Sequence, residues 1–321
     1  MRSRDLGKSL FKLASKQKAF LAIVAMLILM LFPDTRFYSA YNLLDIFNSA
    51  SVNLIIAAGV TVVIICAGCD LSIGGLLSLS SIMTIMLLEY LPIPLAILCS
   101  LVFGLIVGFI NGFLVVHQKT EPFVITLGIG MVLKGICLQL TNAVPVSAKN
   151  PDYMMISNSK LFGSITYLSI AMVVVLVIMY CVLRYTQFGR NCYAVGGDYE
   201  VAVYAGINAR KTKWTAFMIS GVTAALGGVM LSSRLNAGSP VYGDAVPLLI
   251  HCGAVIGGTS LTGGKGGIPQ TFIGLLSLVV LQNVMNMLHV GGYVQLLIRG
   301  IVIVLILWLD NFEVKRKLEA V

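Results

Sequence analysis

Long apolar runs separated by short polar segments follow one another along almost the whole chain. The runs cover residues 19–32, 50–68, 74–90, 93–116, 123–141, 166–183, 214–234, 246–261, 269–288 and 295–310. A helix that crosses a bilayer needs about 20 mostly apolar residues. The pattern therefore predicts an all-α polytopic membrane protein with about ten transmembrane helices. These form a single transmembrane domain, 19–310, between an N-terminal segment, 1–18, and a C-terminal tail, 311–321.

The composition excludes a soluble protein and a disordered one. Of the 321 residues, 58% are hydrophobic and only 11% are charged, whereas a soluble domain has about 25% charged residues. The two longest polar segments, 142–165 and 184–213, are too short to hold a soluble domain. Any domain that supplies energy to this protein is therefore expected to be a separate polypeptide.

The distribution of charge predicts an orientation in the membrane. The net charge is +9, but the basic residues stand at the ends of the apolar runs, which is typical of membrane topology and not of nucleic-acid binding. With ten spans and a cytoplasmic N-terminus, sixteen Lys and Arg residues fall inside and four outside, namely Arg36, Lys149, Lys160 and Arg234. Both termini are therefore predicted to be cytoplasmic, with membrane lipid around the domain and no nucleic acid as a partner.

Five polar residues within or beside the apolar runs are candidates for a substrate pathway: Asn53, Asp70, Lys134, Asn283 and Asn286. Asp70 precedes a Ser and a Gly pair, so capping a helix start is the alternative to handling a substrate or a proton. Lys134 lies in mid-span, where a cation must face a wet cavity or pair with an acid. The amides suit a neutral hydroxylated solute, but amides also join helices to one another.

A glycine-rich stretch, 257–267, looks like a phosphate-binding loop but lacks its spacing. Thr259 stands where that pattern needs a Gly, and Gly266 stands where it needs a Ser or Thr. Nucleotide binding is therefore not expected here. The residues favour an architectural turn at a helix break, with a flexible connector as the alternative. The turn residues are Gly258, Gly263, Gly264 and Lys265.

Three glycines repeat at four-residue spacing in the fourth apolar run, at Gly104, Gly108 and Gly112. Positions four apart share one face of a helix, and small residues there let two helices approach closely. The spacing predicts tight packing along this face, either within the subunit or between subunits.

Nothing in the sequence predicts an enzyme. The three histidines, His117, His251 and His289, are far apart and lack metal-ligand spacing, and no Ser stands in a nucleophile elbow. No metal and no cofactor are expected. An ion-coupled secondary transporter of a small polar solute is the rival to an ATP-driven permease. Such a transporter needs a coupling carboxylate near the bilayer midplane, and Asp70 is the nearest candidate.

Five segments, read in order, resemble the permease subunits of ribose/galactose-type bacterial ABC sugar importers. They are 48–53 (NSASVN), 67–74 (AGCDLSIG), 122–128 (PFVITLG), 189–197 (GRNCYAVGG) and 257–266 (GGTSLTGGKG). The resemblance extends from about residue 40 to 310. It implies the ten-helix fold of vitamin-B12-type importers, located in the inner membrane, and import of a neutral pentose, hexose or related polyol. The implied partners are a cytoplasmic ATPase, a periplasmic sugar-binding protein and a second permease subunit, identical or related.

The same resemblance implies that part of the polar segment 184–213, which is predicted to be cytoplasmic, couples the permease to its ATPase. The residues concerned are Gly197, Asp198, Glu200, Ala202 and Gly206. This chain departs from the family pattern at three positions, with Asp198 for an Asn, Val201 for an Ala and Ala205 for a Ser. The residues themselves predict a short helix, because Asp caps free N–H groups and an acid in the first turn complements the helix dipole. A solvated loop is the alternative.

Overall fold

The computed structural model describes residues 35–118, 120–161, 163–302 and 304, and these residues are almost entirely helical. A short 3₁₀ helix, Thr35–Tyr38, precedes twelve α-helices in this part of the chain. The helices are α1 (Ala40–Ile65), α2 (Ile73–Leu87), α3 (Ile93–His117), α4 (Pro122–Thr141), α5 (Pro151–Asn158), α6 (Tyr167–Tyr185), α7 (Gln187–Gly197), α8 (Tyr199–Tyr204), α9 (Ala209–Leu235), α10 (Val246–Gly257), α11 (Ile268–Met287) and α12 (Gly292–Val302).

Four two-residue strands make two small antiparallel pairs. They are β1 (Val146–Ser147), β2 (Lys160–Leu161), β3 (Ile165–Thr166) and β4 (Ala237–Gly238). Strand β1 pairs with β4, and β2 pairs with β3. The first pair ties the chain that follows α4 to the chain that follows α9.

Six helices are long and apolar enough to cross a membrane: α1, α3, α4, α6, α9 and α11. Helices α2, α10 and α12 are apolar but shorter. The first predicted span, 19–32, and both terminal segments lie outside the described residues. The prediction of an all-α polytopic membrane protein is confirmed, whereas the number of ten crossings stays a prediction.

Helices α1 and α2 form the centre of the bundle, and most residues of both are buried. Helices α3, α4 and α6 bury only one face each and expose the rest. The bundle has two ends. We call the end that carries the α7–α8 pair the hairpin end, and the opposite end, which carries α5, the loop end. At the loop end, the buried Tyr153 of α5 donates a hydrogen bond to the Val229 carbonyl of α9 over 2.8 Å, so the segment 142–165 is partly helical and docked.

The glycine spacing in α3 serves a close contact with α9, as predicted. A Cβ atom added at Gly104 would lie 2.5 Å from Cβ of Ala225 and 2.6 Å from the carbonyl oxygen of Gly221. A Cβ atom at Gly108 would collide with the carbonyl oxygen of Phe217. The backbones of α3 and α9 therefore touch along this face.

The chain between α9 and α10 enters the bundle without forming a helix. Gly238 packs against Ile82 of α2, and Gly243 packs against Gly74 of the same helix. Those two α2 positions are eight residues apart, which is about 12 Å along a helix axis. The segment 236–245 therefore runs inward from the loop end, and α10 begins inside the bundle.

The predicted span 246–261 is thus only partly correct. Helix α10 has 12 residues and ends at Gly257, which is about 18 Å of helix. The segment 236–245 that precedes it is non-helical, with a two-residue strand followed by a series of turns. The reason is local, because Pro240, Gly243 and Pro247 disfavour a helix start further upstream, and only glycine allows the backbone contact with Gly74.

We predict that Gly104→Leu destabilises the bundle, because the added side chain must force α3 away from α9. Overpacking of this kind costs about 1–3 kcal/mol. The matched control is Gly128→Leu on the exposed face of α4, where an added Cβ atom meets nothing within 4 Å. Thermal unfolding in detergent should show a lower midpoint for Gly104→Leu alone. Equal midpoints for the two variants would contradict the contact.

Candidate functional site

The break between α1 and α2 is built around the carboxylate of Asp70, which has no exposed surface. Its Oδ1 accepts hydrogen bonds from the Ser72 hydroxyl over 2.6 Å and from the Ser72 amide over 3.1 Å. Its Oδ2 accepts one from the Ser220 hydroxyl of α9 over 2.7 Å. Asp70 thus binds one backbone amide just before α2 and joins this point to α9. The N-cap residue of α2 is Ser72, which makes no side-chain cap bond itself, so Asp70 acts one step before the cap.

Four further helices contact the residues of this break. Asn111 of α3 donates to the Ser72 hydroxyl over 2.7 Å. Thr126 of α4 accepts from the Leu71 amide over 3.0 Å. From α10, Nε2 of His251 lies 3.4 Å from Sγ of Cys69. Together with Ser220 of α9, these side chains hold an irregular backbone inside the bundle. Sequence reasoning missed them because each is a single polar residue within an apolar run.

Lys134 of α4 makes an ion pair with Asp244, with 2.6 Å between Nζ and Oδ1. The two side chains are 41% and 48% exposed. Asp244 belongs to the series of turns that precedes α10. The sequence offered a pathway and an ion pair as alternatives for Lys134, and the structure shows the ion pair on an outward-facing surface. Asp244 was missed because it adjoins Gly243 in what reads as an ordinary loop.

Two of the candidate amides, Asn283 and Asn286, are paired with other amides. Asn283 of α11 and Asn42 of α1 exchange two hydrogen bonds of 2.9 and 3.2 Å. Asn286 is exposed, and its side-chain oxygen accepts a hydrogen bond from the side-chain amide of Gln295 in α12 over 2.9 Å. These bonds join helices, as the packing interpretation expects. Asn53 of α1 is half-buried, and its side chain makes no hydrogen bond to the other described residues.

The glycine-rich turn between α10 and α11 has a left-handed backbone at four positions, a conformation that residues other than glycine rarely adopt. Gly258, Gly263, Gly264 and Gly266 have φ values of 98°, 86°, 69° and 114°. The Gly264 amide donates to the carbonyl oxygen of Ile65, the last residue of α1, over 2.9 Å. A Cβ atom at Gly264 would lie 2.8 Å from Cα of Gly197. The turn is therefore packed between the ends of α1 and α7, which fits the architectural interpretation. Lys265 is exposed.

The predicted helix start at Asp198 is present. The Asp198 carboxylate accepts from the Val201 amide over 2.9 Å, Glu200 lies in the first turn of α8, and Gly206 ends the helix at a φ of 81°. The α7–α8 pair is therefore a capped hairpin and not a solvated loop.

Ala202 faces the interior of the hairpin. It is buried and packs with Val195 of α7 and Ala209 of α9. The outward side of α8 is formed instead by Val201, Val203 and Tyr204, of which Tyr204 is 88% exposed. An apolar surface of this kind at a helical hairpin is a feature of protein interfaces.

The fold defines a polytopic helical membrane protein. Its helices surround an interrupted central pair, α1 and α2, and an apolar hairpin stands at one end. In the part of the chain that the structure describes, no group of His, Cys, Asp or Glu residues is arranged to hold a metal ion.

Comparison with known proteins gives the family. The family model described as branched-chain amino acid transport system / permease component matches residues 42–307. The chain belongs to this family. Among its relatives are the ribose import permease protein RbsC of Haemophilus influenzae and the D-allose transport system permease protein AlsC of Escherichia coli. Both are 35% identical to this chain. The first alignment covers 94% of this chain and 95% of the relative, and the second covers 91% and 89%.

The xylose transport system permease protein XylH of Escherichia coli is 29% identical, and the alignment covers 93% of both chains. These relatives confirm the predicted resemblance to permease subunits of sugar importers, a transport family and not a class of enzymes. No solved structure matches the chain.

We predict that Gly264→Leu abolishes transport while the protein still reaches the membrane. The substitution strains a left-handed backbone and places a side chain against Gly197. The turn is therefore displaced from its position between α1 and α7. Gly258→Leu is expected to act through backbone strain alone, because an added Cβ atom meets nothing within 4 Å there.

The control for both is Thr262→Leu, an exposed position in the same turn. Solute uptake, corrected for the amount of protein in the membrane, is the measurement. Normal uptake by both glycine variants would show that the turn is a passive connector.

Proposed function

We propose that this chain is the membrane-embedded permease subunit of an ATP-binding-cassette importer that carries a neutral pentose, hexose or related polyol across the bacterial inner membrane. The observation that carries the proposal is the similarity, over nine-tenths of the chain, to permeases named for ribose, D-allose and xylose. The polar side chains in the described spans are mainly amides and hydroxyls, which suit an uncharged hydroxylated solute.

The proposed assembly has three further components. A separate cytoplasmic ATPase supplies energy, because the glycine-rich turn lacks the spacing of a phosphate-binding loop. A periplasmic binding protein delivers the sugar. A second permease subunit, identical or related, completes the membrane domain, and the exposed faces of α3, α4 and α6 leave room for it.

The coupling surface is proposed to be the hairpin of α7 and α8. Its outward side chains are Val201, Val203 and Tyr204, and they would fill an apolar groove on the ATPase. Gly197 sits beneath this surface against the turn at Gly264. Asp198, Glu200 and Gly206 set the two ends of α8, while Ala202 supports the hairpin from within.

The ten-span topology with cytoplasmic termini and the fold of vitamin-B12-type importers are part of the same proposal. Six long apolar helices and three shorter ones support it. Among the proposed pathway residues, Asn53 makes no hydrogen bond to the other described residues, and Lys134 uses one of its three donors in the ion pair with Asp244. Asp70, Asn283 and Asn286 would act by holding the helices that form the pathway, since each is bonded to another residue of the chain.

Ion-coupled secondary transport is the rival function, and one observation weighs against it. Its candidate carboxylate, Asp70, is enclosed in protein and accepts hydrogen bonds at both oxygens. Reconstitution separates the two functions. The permease in liposomes with its ATPase and binding protein should accumulate ribose, D-allose or xylose only when ATP is supplied. Accumulation by the permease alone, driven by an H⁺ or Na⁺ gradient, would establish the rival.

We predict that Tyr204→Asp releases the ATPase and stops sugar uptake, because a charge would have to be buried in an apolar groove. Tyr90→Asp is the matched control, since Tyr90 is 83% exposed at the turn after α2, at the loop end of the bundle. Co-purification of the ATPase with each variant is the measurement. Retention of the ATPase by Tyr204→Asp, with full uptake, would remove this hairpin from the mechanism.

We predict that the loop end and the C-terminus lie on opposite sides of the membrane, because the Lys and Arg residues are concentrated on the predicted inner side. A reporter that is active only in the cytoplasm should work after residue 321 and fail at Asn150, next to α5. The same signal from both fusions would refute the ten-span topology.

A further inference from the structure

The segment 236–245 is non-helical chain inside the bundle, and its amides at Tyr242, Gly243 and Asp244 are paired with other groups of the protein. It runs along α2 from Ile82 to Gly74, and three of its residues, Val241, Asp244 and Ala245, are exposed. In hydrocarbon every backbone polar group must be satisfied internally. Irregular backbone at membrane depth is therefore found only where it is covered by protein or lines a water-filled cavity.

The ion pair lies at the same depth. Lys134 is twelve residues after the start of α4 and seven before its end, about 18 Å and 10 Å along the axis. A charged pair that is nearly half exposed so far from either end of the helix cannot face lipid at low cost. The outward surface around Lys134 and Asp244 is therefore covered by something other than acyl chains.

The hydrogen-bonding capacity of the pair favours water over a dry protein contact. A Lys ammonium has three donors and a carboxylate about four acceptor sites. Within the described residues, Lys134 and Asp244 satisfy one of each, with each other. The remaining sites need water or hydroxyl groups. Met131, one helical turn before Lys134 on α4, and Leu248, four residues after Asp244, are exposed, so the pair stands on a largely apolar surface, which we call the wall.

We propose that the Lys134–Asp244 ion pair lines the water-filled pathway for the sugar and hydrogen-bonds sugar hydroxyls as they pass. The inference rests on the proposed sugar-import function and extends it to Asp244. The two charges cancel, so the wall offers charged donors and acceptors without attracting ions of either sign. The ammonium meets hydroxyl oxygens, and the carboxylate meets hydroxyl hydrogens.

A purely structural pair and a pathway pair respond differently to replacement by apolar residues. The double variant Lys134→Met, Asp244→Leu leaves no unpaired charge, and such replacements are usually neutral or stabilising for the fold. If the pair only holds α4 against the segment before α10, sugar uptake should survive. If the pair contacts the sugar, uptake should fall about tenfold or more at an unchanged level of membrane protein, because hydrogen bonds to charged groups are lost.

Two further double variants complete the experiment. The exchange Lys134→Asp, Asp244→Lys keeps both charges on the wall and should restore a large part of the uptake. The control is Glu89→Leu, Lys149→Met, which removes an ion pair of the same length, 2.6 Å, between exposed residues at the loop end. Uptake by the control should be unchanged. Normal uptake by the apolar variant of the Lys134 pair would overturn the proposal.

Labelling tests the water-filled wall directly. Leu248→Cys and Met131→Cys should react with a charged thiol reagent that does not enter lipid, and ribose supplied with the binding protein and ATP should slow the reaction. Val174→Cys, on the exposed face of α6, should not react above the wild-type background. Absence of reaction at both wall positions would also overturn the proposal. If instead the wall positions are labelled but the complete wild-type assembly imports no sugar, the proposed function is wrong. The conclusion that water reaches this wall then still holds.

Discussion

The carboxylate of Asp70 is the interaction on which the centre of this bundle depends. A chain that stops being helical inside a membrane must find partners for its free backbone groups. Asp70 binds the amide of Ser72, the residue before α2, and its second oxygen accepts a hydrogen bond from Ser220 of α9. An unpaired carboxylate at this depth would be costly, so the break and its surrounding helices fix one another. Asn111, Thr126 and His251 reach the same point from α3, α4 and α10.

A continuous set of backbone contacts leads from that break to the hairpin. The turn at Gly263 and Gly264 lies against Ala67, just after α1, and against Gly196 and Gly197, at the end of α7. Packed interiors are poorly compressible and transmit displacement. A movement of the hairpin therefore has to move the turn and the end of α1, or else break these contacts. This arrangement places the proposed ATPase surface in mechanical contact with the interrupted helices.

Irregular backbone also occurs in the segment 236–245, which precedes α10 inside the bundle. The segment before α10 is held by the contact of Gly243 with Gly74 and by a hydrogen bond from the Gly243 amide to the Ser78 hydroxyl over 3.0 Å. On its outward side it presents Asp244 to Lys134. One short segment thus closes the core on one face and offers a polar group on the other.

The sequence by itself determined the membrane class, most of the helices, the absence of phosphate-loop spacing, the turn at Gly258–Gly264 and the cap at Asp198. Each of these depends on local composition or on residues a few positions apart, where hydropathy, glycine conformation and helix capping act directly. Only the tertiary structure decided the partners of Asp70 and Lys134, the inward orientation of Ala202 and the non-helical segment that packs against α2 before α10. Asp70 and Ser220, like Lys134 and Asp244, are more than 100 positions apart. Hydropathy depends on residues that are close in sequence, so it carries no information about such pairs or about where a non-helical segment packs against a distant helix.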